Sequence, residues 1–255
     1  MYLRGGAHFA TLDVYWRSLK LRIPDLLLTH LRSLASKYRP SWISAIAVAT
    51  LLAISPAPAQ SHPHVWIDAV GEMLFDDSGK LTGLRVYWAF DELYSAYAVE
   101  GLDVNGNGEM ERQELRPLVA ENIKNLKDFR YFTYLEVDGQ NPDYGEVTEF
   151  GMRFVNGRLA MWFVVPLAEP VDPRKAEIAF AMYDPTYYIS IELAQDGPIR
   201  VSGKAPDTCG HRIVDTEARS DALSLSESFF QSLESSANFG VNLAQWVRLT
   251  CGPQS

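Results

Sequence analysis

The sequence predicts an α+β fold, mainly antiparallel β-sheet and sandwich-like, with an inserted helix–loop–helix and a C-terminal helix. Three observations predict it. Apolar and polar residues alternate with period two over most of the chain after residue 63, between clusters of Gly, Pro, Asn and Asp. Asn156-Gly157, the strongest short hairpin signal, separates two such runs. Residues 91–128 break the pattern, with helix formers on either side of a stretch rich in Asp, Asn, Gly and Glu.

The first 59 residues stand apart from that domain. Seven basic and two acidic residues precede or flank an apolar run at 42–54, which is followed by Ala57-Pro58-Ala59. A basic n-region, a short apolar h-region and a small-x-small site make a secretory signal peptide. Residues 60–255 are then expected to form a single β-rich domain with its insert at about 91–128. The apolar run, about thirteen residues, is short of the roughly twenty that span a bilayer, which argues against a membrane anchor. Of 23 basic and 32 acidic residues, 16 and 30 lie beyond residue 59, so cleavage takes the net charge from −9 to −14. A surface this acidic repels phosphate backbones and anionic lipid heads. It argues against nucleic-acid and membrane-surface binding and suits an exported, periplasmic protein that attracts cations; once the leader is cleaved, no membrane insertion is expected.

Val65–Phe75 alternates Val65, Ile67 and Ala69 against Trp66, Asp68 and Val70; Asp76-Asp77-Ser78-Gly79 turns the chain and Leu81–Phe90 returns, a hairpin. Residues 91–102 hold no Gly or Pro before Gly101 and form the entering helix, with Ser95 in a slot that ordinarily packs. Leu115, Leu118, Val119, Ile123 and Leu126 then recur at helical spacing, interrupted by Pro117. A proline inside a helix removes one backbone bond and clashes with the preceding turn, at about 3 kcal/mol. The sequence therefore predicts a brief exiting helix and a second helix with Pro117 in its first turn. Strands are expected at 131–137, ending at Asp138-Gly139, and at 147–155 paired with 158–165. Another hairpin joins 176–183 to 187–194 around Asp184-Pro185-Thr186; 199–202 is a short strand, 219–233 is helical, and 241–250 is ambiguous.

The most specific chemistry lies at residues 103–114, Asp-Val-Asn-Gly-Asn-Gly-Glu-Met-Glu-Arg-Gln-Glu. Oxygen side chains fall at the first, third, fifth, ninth and twelfth places: Asp103, Asn105, Asn107, Glu111 and Glu114. Gly108 occupies the sharp bend and Glu109 offers its backbone carbonyl. This is the pattern of an EF-hand calcium loop, which wraps six to eight oxygens around a hard cation. Asp/Asn/Gly-rich stretches also make ordinary turns. Asp103 and Glu114 are the expected direct carboxylates, Asn105 and Asn107 are neutral, and Glu111 acts through water. Such a ligand set points to affinity near 10⁻⁴–10⁻³ M, roughly that of extracellular modules. With a single loop, calcium serves as a structural clamp rather than a switch.

His62-Pro63-His64 offers a second metal site. Cleavage after Ala59 leaves Gln60-Ser61-His62 at the terminus, whose amine, two amides and imidazole suit square-planar Cu(II) or Ni(II). Cleavage just before His62 removes that chelate, because Pro63 has no amide. His64 and Asp68 share a strand face; alternatively, both histidines are surface residues of a flexible terminus. Cys209 and Cys251, an even pair in an oxidising compartment, are expected to form one disulfide. Enzyme signatures are missing: no Gly-x-Ser-x-Gly, no His-Glu-x-x-His, no phosphate-cradling glycine loop. Asp91-Glu92 is one carboxylate pair among many, and His211 with Asp215 is an acid/base pair or a surface ion pair. The chain is expected not to be an enzyme. Its aromatic clusters are expected to be mostly core, with exposed members lining a ligand cleft.

Several segments together resemble a known family. They are His62-Pro63-His64-Val65-Trp66-Ile67, Trp88-Ala89-Phe90-Asp91-Glu92-Leu93-Tyr94-Ser95, the calcium-type loop, Tyr131-Phe132-Thr133, Pro166-Leu167, Asp184-Pro185-Thr186-Tyr187-Tyr188 and the late cysteines. The set, spread over residues 62–251, is similar to a bacterial family of unknown function described as the periplasmic component of an uncharacterised ABC-type transport system. The resemblance implies nickel, cobalt or zinc transport, which would give His62 and His64 a role and a membrane metal transporter or ABC permease as partner. The expected function is therefore an exported accessory protein that binds Ca²⁺ and presents or buffers a transition metal (Ni, Co, Zn or Cu). The alternative is a solute-binding component for an organic ligand.

Overall fold

The computed structural model describes residues 63–216 and 239–252, all within one compact unit, Gln60–Ser255. The expected leader, His62 and the expected helix at 219–233 lie outside the described residues. Strands β1 (Val65–Phe75) and β2 (Leu81–Phe90) form the antiparallel hairpin their alternation predicts, with Ile67 opposite Phe90 and Leu74 opposite Gly83. The turn is closed by Asp76, whose Oδ1 accepts from the Ser78 amide at 2.9 Å, the Ser78 hydroxyl at 2.7 Å and the Lys80 amide at 2.9 Å. These bonds, the Lys80 amide foremost, hold the Asp76 carboxyl below its ordinary value.

Helices α1 (Glu92–Ala98) and α2 (Arg112–Leu126) follow, then a 3₁₀ segment (Lys127–Phe132) and β3 (Thr133–Val137). The remaining strands are β4 (Phe150–Val155), β5 (Arg158–Val171), β6 (Ile178–Met182), β7 (Ile189–Leu193), β8 (Ile199–Ser202) and β9 (Cys209–Asp215). A short helix α3 (Phe239–Asn242) and β10 (Gln245–Cys251) complete the described chain. One sheet runs β4-β5-β2-β1-β7 with β8 also on β1, the other β3-β6-β10-β9. Their inner faces interlock. A Cβ on Gly71 of β1 would stand 2.9 Å from the ring of Phe180 on β6, so the missing side chain makes room for that ring. Ile67, Met73, Leu84, Phe163, Phe180 and Leu135 are among the fully buried side chains of this core.

Four expectations need correction. First, 176–183 and 187–194 are not a hairpin: β6 pairs with β3 and β10, whereas β7 joins the other sheet. All five residues of β6 are buried and both its edges are taken, so no edge remains for β7. Asp184 turns the chain between sheets, its Oδ1 accepting from the Thr186 amide (2.9 Å) and its Oδ2 from the Ile189 amide (3.0 Å). Second, β7 and β8 lie parallel to β1, on successive halves of its length, so the first sheet is mixed. Third, α2 is continuous through Pro117. Pro117 and Gln113, whose carbonyl loses its amide partner, are both exposed, so that bond is lost on the solvent side rather than in the core. Leu115, Val119 and Ile123, one turn apart, bury the opposite face and hold the helix through the proline. Fourth, the helix before the loop ends at Ala98 rather than running to residue 102, and Gly101 turns the chain at φ +76°.

Candidate functional site

The loop at 103–114 is a nest of side-chain-to-amide bonds. Asp103 Oδ1 accepts from the amides of Gly106 (2.8 Å) and Asn107 (3.1 Å), and its Oδ2 from Gly108 (2.8 Å). Asn105 and Asn107 each accept from the amide two residues on, at 2.9 and 2.8 Å. Their Nδ2 groups donate to the two oxygens of Glu111 at 2.8 and 2.9 Å. Gly106 and Gly108 sit at φ +71° and +79°, a conformation that side chains with a Cβ disfavour. Leu102 and Met110, flanking the turn, pack against the core and pin the loop at both ends.

Glu114 closes the ring. Its Oε1 accepts from the Val104 amide at 2.8 Å and its Oε2 from the Glu111 amide at 3.1 Å, which caps the start of α2. The Glu111 amide, helped by that of Val104 and opposed by partial desolvation, holds the Glu114 carboxyl below the ordinary glutamate value. The donor set, three carboxylates and two amides in loop order with the Glu109 carbonyl, is all oxygen and fits a hard cation. Its carboxylates rest on amides, and among the described residues no three His, Cys, Asp or Glu groups converge as a ready metal cluster. Both Glu114 oxygens would have to turn from their amides to act as a bidentate ligand.

The histidine corner is built at the start of β1. The His64 amide donates to the Tyr188 carbonyl at 2.9 Å, and the two rings lie 4.7 Å apart. Asp91 ties the same corner to α1: Oδ1 accepts from the Tyr94 amide at 2.8 Å as N-cap, Oδ2 from the Trp66 amide at 3.0 Å. Asp91 thus has a structural role. Asp68, on the same face of β1 as His64, pairs with Arg158 at 2.7 Å. His211 and Asp215 lie four residues apart on β9, about 13 Å along a strand. That separation rules out the acid/base or ion pair, because i,i+4 adjacency belongs to helices. Cys209 and Cys251 are disulfide-bonded across β9 and β10, where they face each other in register. Trp88, Phe90, Tyr131 and Phe132 are among the core aromatics, many others are half-buried, and Trp66, Tyr97, Phe129 and Tyr188 are exposed.

One feature was not foreseen from sequence. Between α2 and edge strand β4 opens a cleft of about 850 Å³, with Arg85, Arg112, Arg116 and Arg153 around it and Tyr87 and Trp162 among its lining. The i,i+4 spacing of Arg112 and Arg116 was a visible signal, but only the strand order β4-β5-β2 brings the other arginines to them.

A family model matches residues 47–251, and its description is a protein of unknown function. A relative from Spirochaeta aurantia, titled an uncharacterized 15.5 kDa protein in the trpE 3' region, is 33% identical over 97 residues, 38% of this chain and 69% of its own. An uncharacterized protein of Haemophilus influenzae is 29% identical over 197 residues, 75% of this chain and 91% of its own.

Proposed function

We propose, for a chain that belongs to the DUF1007 family of proteins of unknown function, an exported metal-binding accessory role that involves no catalysis. Calcium binds at residues 103–114, with Asp103 and Glu114 as direct carboxylate ligands. Asn105, Asn107 and the Glu109 carbonyl fill the remaining sides, and Glu111 acts through water. The observation that carries this reading is the folding of the loop about Asp103, whose carboxylate gathers the amides of Gly106, Asn107 and Gly108. The Cys209–Cys251 disulfide supports an oxidising location, here the periplasm. Among the described residues no helix is long and apolar enough to cross a membrane. His62 and His64 present or buffer a transition metal (Ni, Co, Zn or Cu) for a membrane transporter or ABC permease, with the Tyr188 ring steadying His64.

The decisive variant is Glu114→Gln. Glutamine keeps the cap on the Glu111 amide but removes the charge that a bidentate calcium ligand needs. Calorimetric titration of residues 60–255 is expected to show binding near 10⁻⁴–10⁻³ M, roughly as in extracellular modules, lost in Glu114→Gln. Equal isotherms for the two proteins would remove the calcium site. Nickel and copper titrations of wild type against His64→Ala test the histidine corner in the same way, and unchanged affinity would leave the histidines without a metal role.

A further inference from the structure

We propose that the cleft between α2 and β4 is a binding site for a small organic anion, a carboxylate or phosphate carried on a flat apolar body. The site borders the end of the calcium loop at Arg112 and Gln113 but uses none of its oxygen ligands, and it does not depend on calcium. Sheet order sets its floor: Tyr87 on β2 lies opposite Trp162 on β5, and Trp162 lies opposite Gly151 on β4. A Cβ on Gly151 would come within 2.7 Å of the Trp162 Nε1, so the indole reaches across the bare backbone of the edge strand. That glycine is what lets an aromatic surface extend to the rim. Arg153 stands two residues further along the same face of β4, and α2 brings Arg112 and Arg116 from the other wall, one turn apart.

The charge around the cleft suits an anion. Arg85 is already neutralised by Glu72 at 3.0 Å, with Glu149 at 3.9 Å. Arg112, Arg116 and Arg153 have no ion pair among the described residues, although the chain as a whole carries a net charge of −9. Three unpaired guanidiniums on a convex face would be ordinary solvated side chains. Here they rim a concavity of about 850 Å³, a volume suited to a small ligand, and they surround a half-buried indole and phenol. Guanidinium forks recognise carboxylate and phosphate oxygens in pairs, and a flat ligand body stacks on Trp162. The overall acidity excludes long polyanions, so a compact anion is the occupant that both fields admit.

The test uses residues 60–255 in calcium-free EGTA buffer, which separates its outcome from that of the calcium loop. Phenyl phosphate, inorganic phosphate and neutral benzyl alcohol are titrated by calorimetry and tryptophan fluorescence. Phenyl phosphate is expected to bind saturably and more tightly than inorganic phosphate, and benzyl alcohol not at all. The exposed double variant Arg116→Ala/Arg153→Ala should weaken phenyl phosphate by roughly tenfold or more, as lost charge-assisted bonds imply. Gly151→Ala, which displaces the indole, should erase the preference over inorganic phosphate. Identical isotherms for wild type and the double variant, or no saturation by about 10 mM, would overturn the proposal. Retention on phosphatidylglycerol vesicles with no response to phenyl phosphate would also overturn it, in favour of a membrane surface.

Discussion

Ser95 shows how a single hydroxyl joins distant parts of the chain. It is fully buried, donates to the Asp91 carbonyl at 2.5 Å and accepts from the Leu159 amide at 2.9 Å, fixing α1 to β5. Ser95→Ala strands the Leu159 amide in the core, and chemical denaturation should show a loss of about 1–3 kcal/mol. From sequence, Ser95 was visible only as a polar residue in an apolar slot, because its partner is 64 residues away. Glu114 carries a second expectation at this scale. Its folded pKa is depressed by the Glu111 amide first, so the loop's bonds to it are intact above the ordinary value of 4.5 and fail as pH falls through the lowered one. A carbon-13 titration of the Glu114 carboxyl without calcium should have its midpoint below 4.5.

Among the elements, those defined by local chemistry were legible and those defined by neighbours were not. Asn156 and Gly157 adopt φ +53° and +79°, the two left-handed positions of a tight hairpin, as the dipeptide requires. Gly157→Ala strains that turn and should lower stability by about 1 kcal/mol in thermal melts. Asp184-Pro185-Thr186 looked equally turn-like, yet it passes the chain from one sheet to the other. Turn residues say that the backbone bends, not which strand it meets next. The continuous burial of Ile178–Met182 was the missed clue, since a strand apolar on every residue belongs inside a sheet. Likewise the loop's oxygens were readable one by one, whereas the arginine cleft needed the order of three strands. Arg112 and Gln113 belong both to the loop and to that cleft. Calcium, adding positive charge beside them, should tighten phenyl phosphate binding in paired titrations with and without the ion.

Taken whole, the molecule places a band of half-buried phenols beside the second sheet. Tyr134 is pushed up to about 12, by burial first and then by Tyr183 and Asp184, and Tyr144 and Tyr183 are also raised chiefly by burial. Their neutral forms favour the fold. That contribution is complete below the ordinary value of 10 and is lost as pH climbs toward about 12, so melting temperature should fall steeply across this window. Acid should leave the band untouched.

The strand β9 has little apolar burial of its own: five of its seven residues are exposed, and it lies at the rim of its sheet. Its ladder to β10 is reinforced by the covalent link from Cys209 to Cys251, worth up to about 4 kcal/mol for a loop of this length. Were that link reduced, β9 could peel away and leave the backbone of β10 as a bare template for another chain's strand. The fold is therefore expected to hold best where thiols stay oxidised, and copies kept under reducing conditions should clump rather than simply unfold.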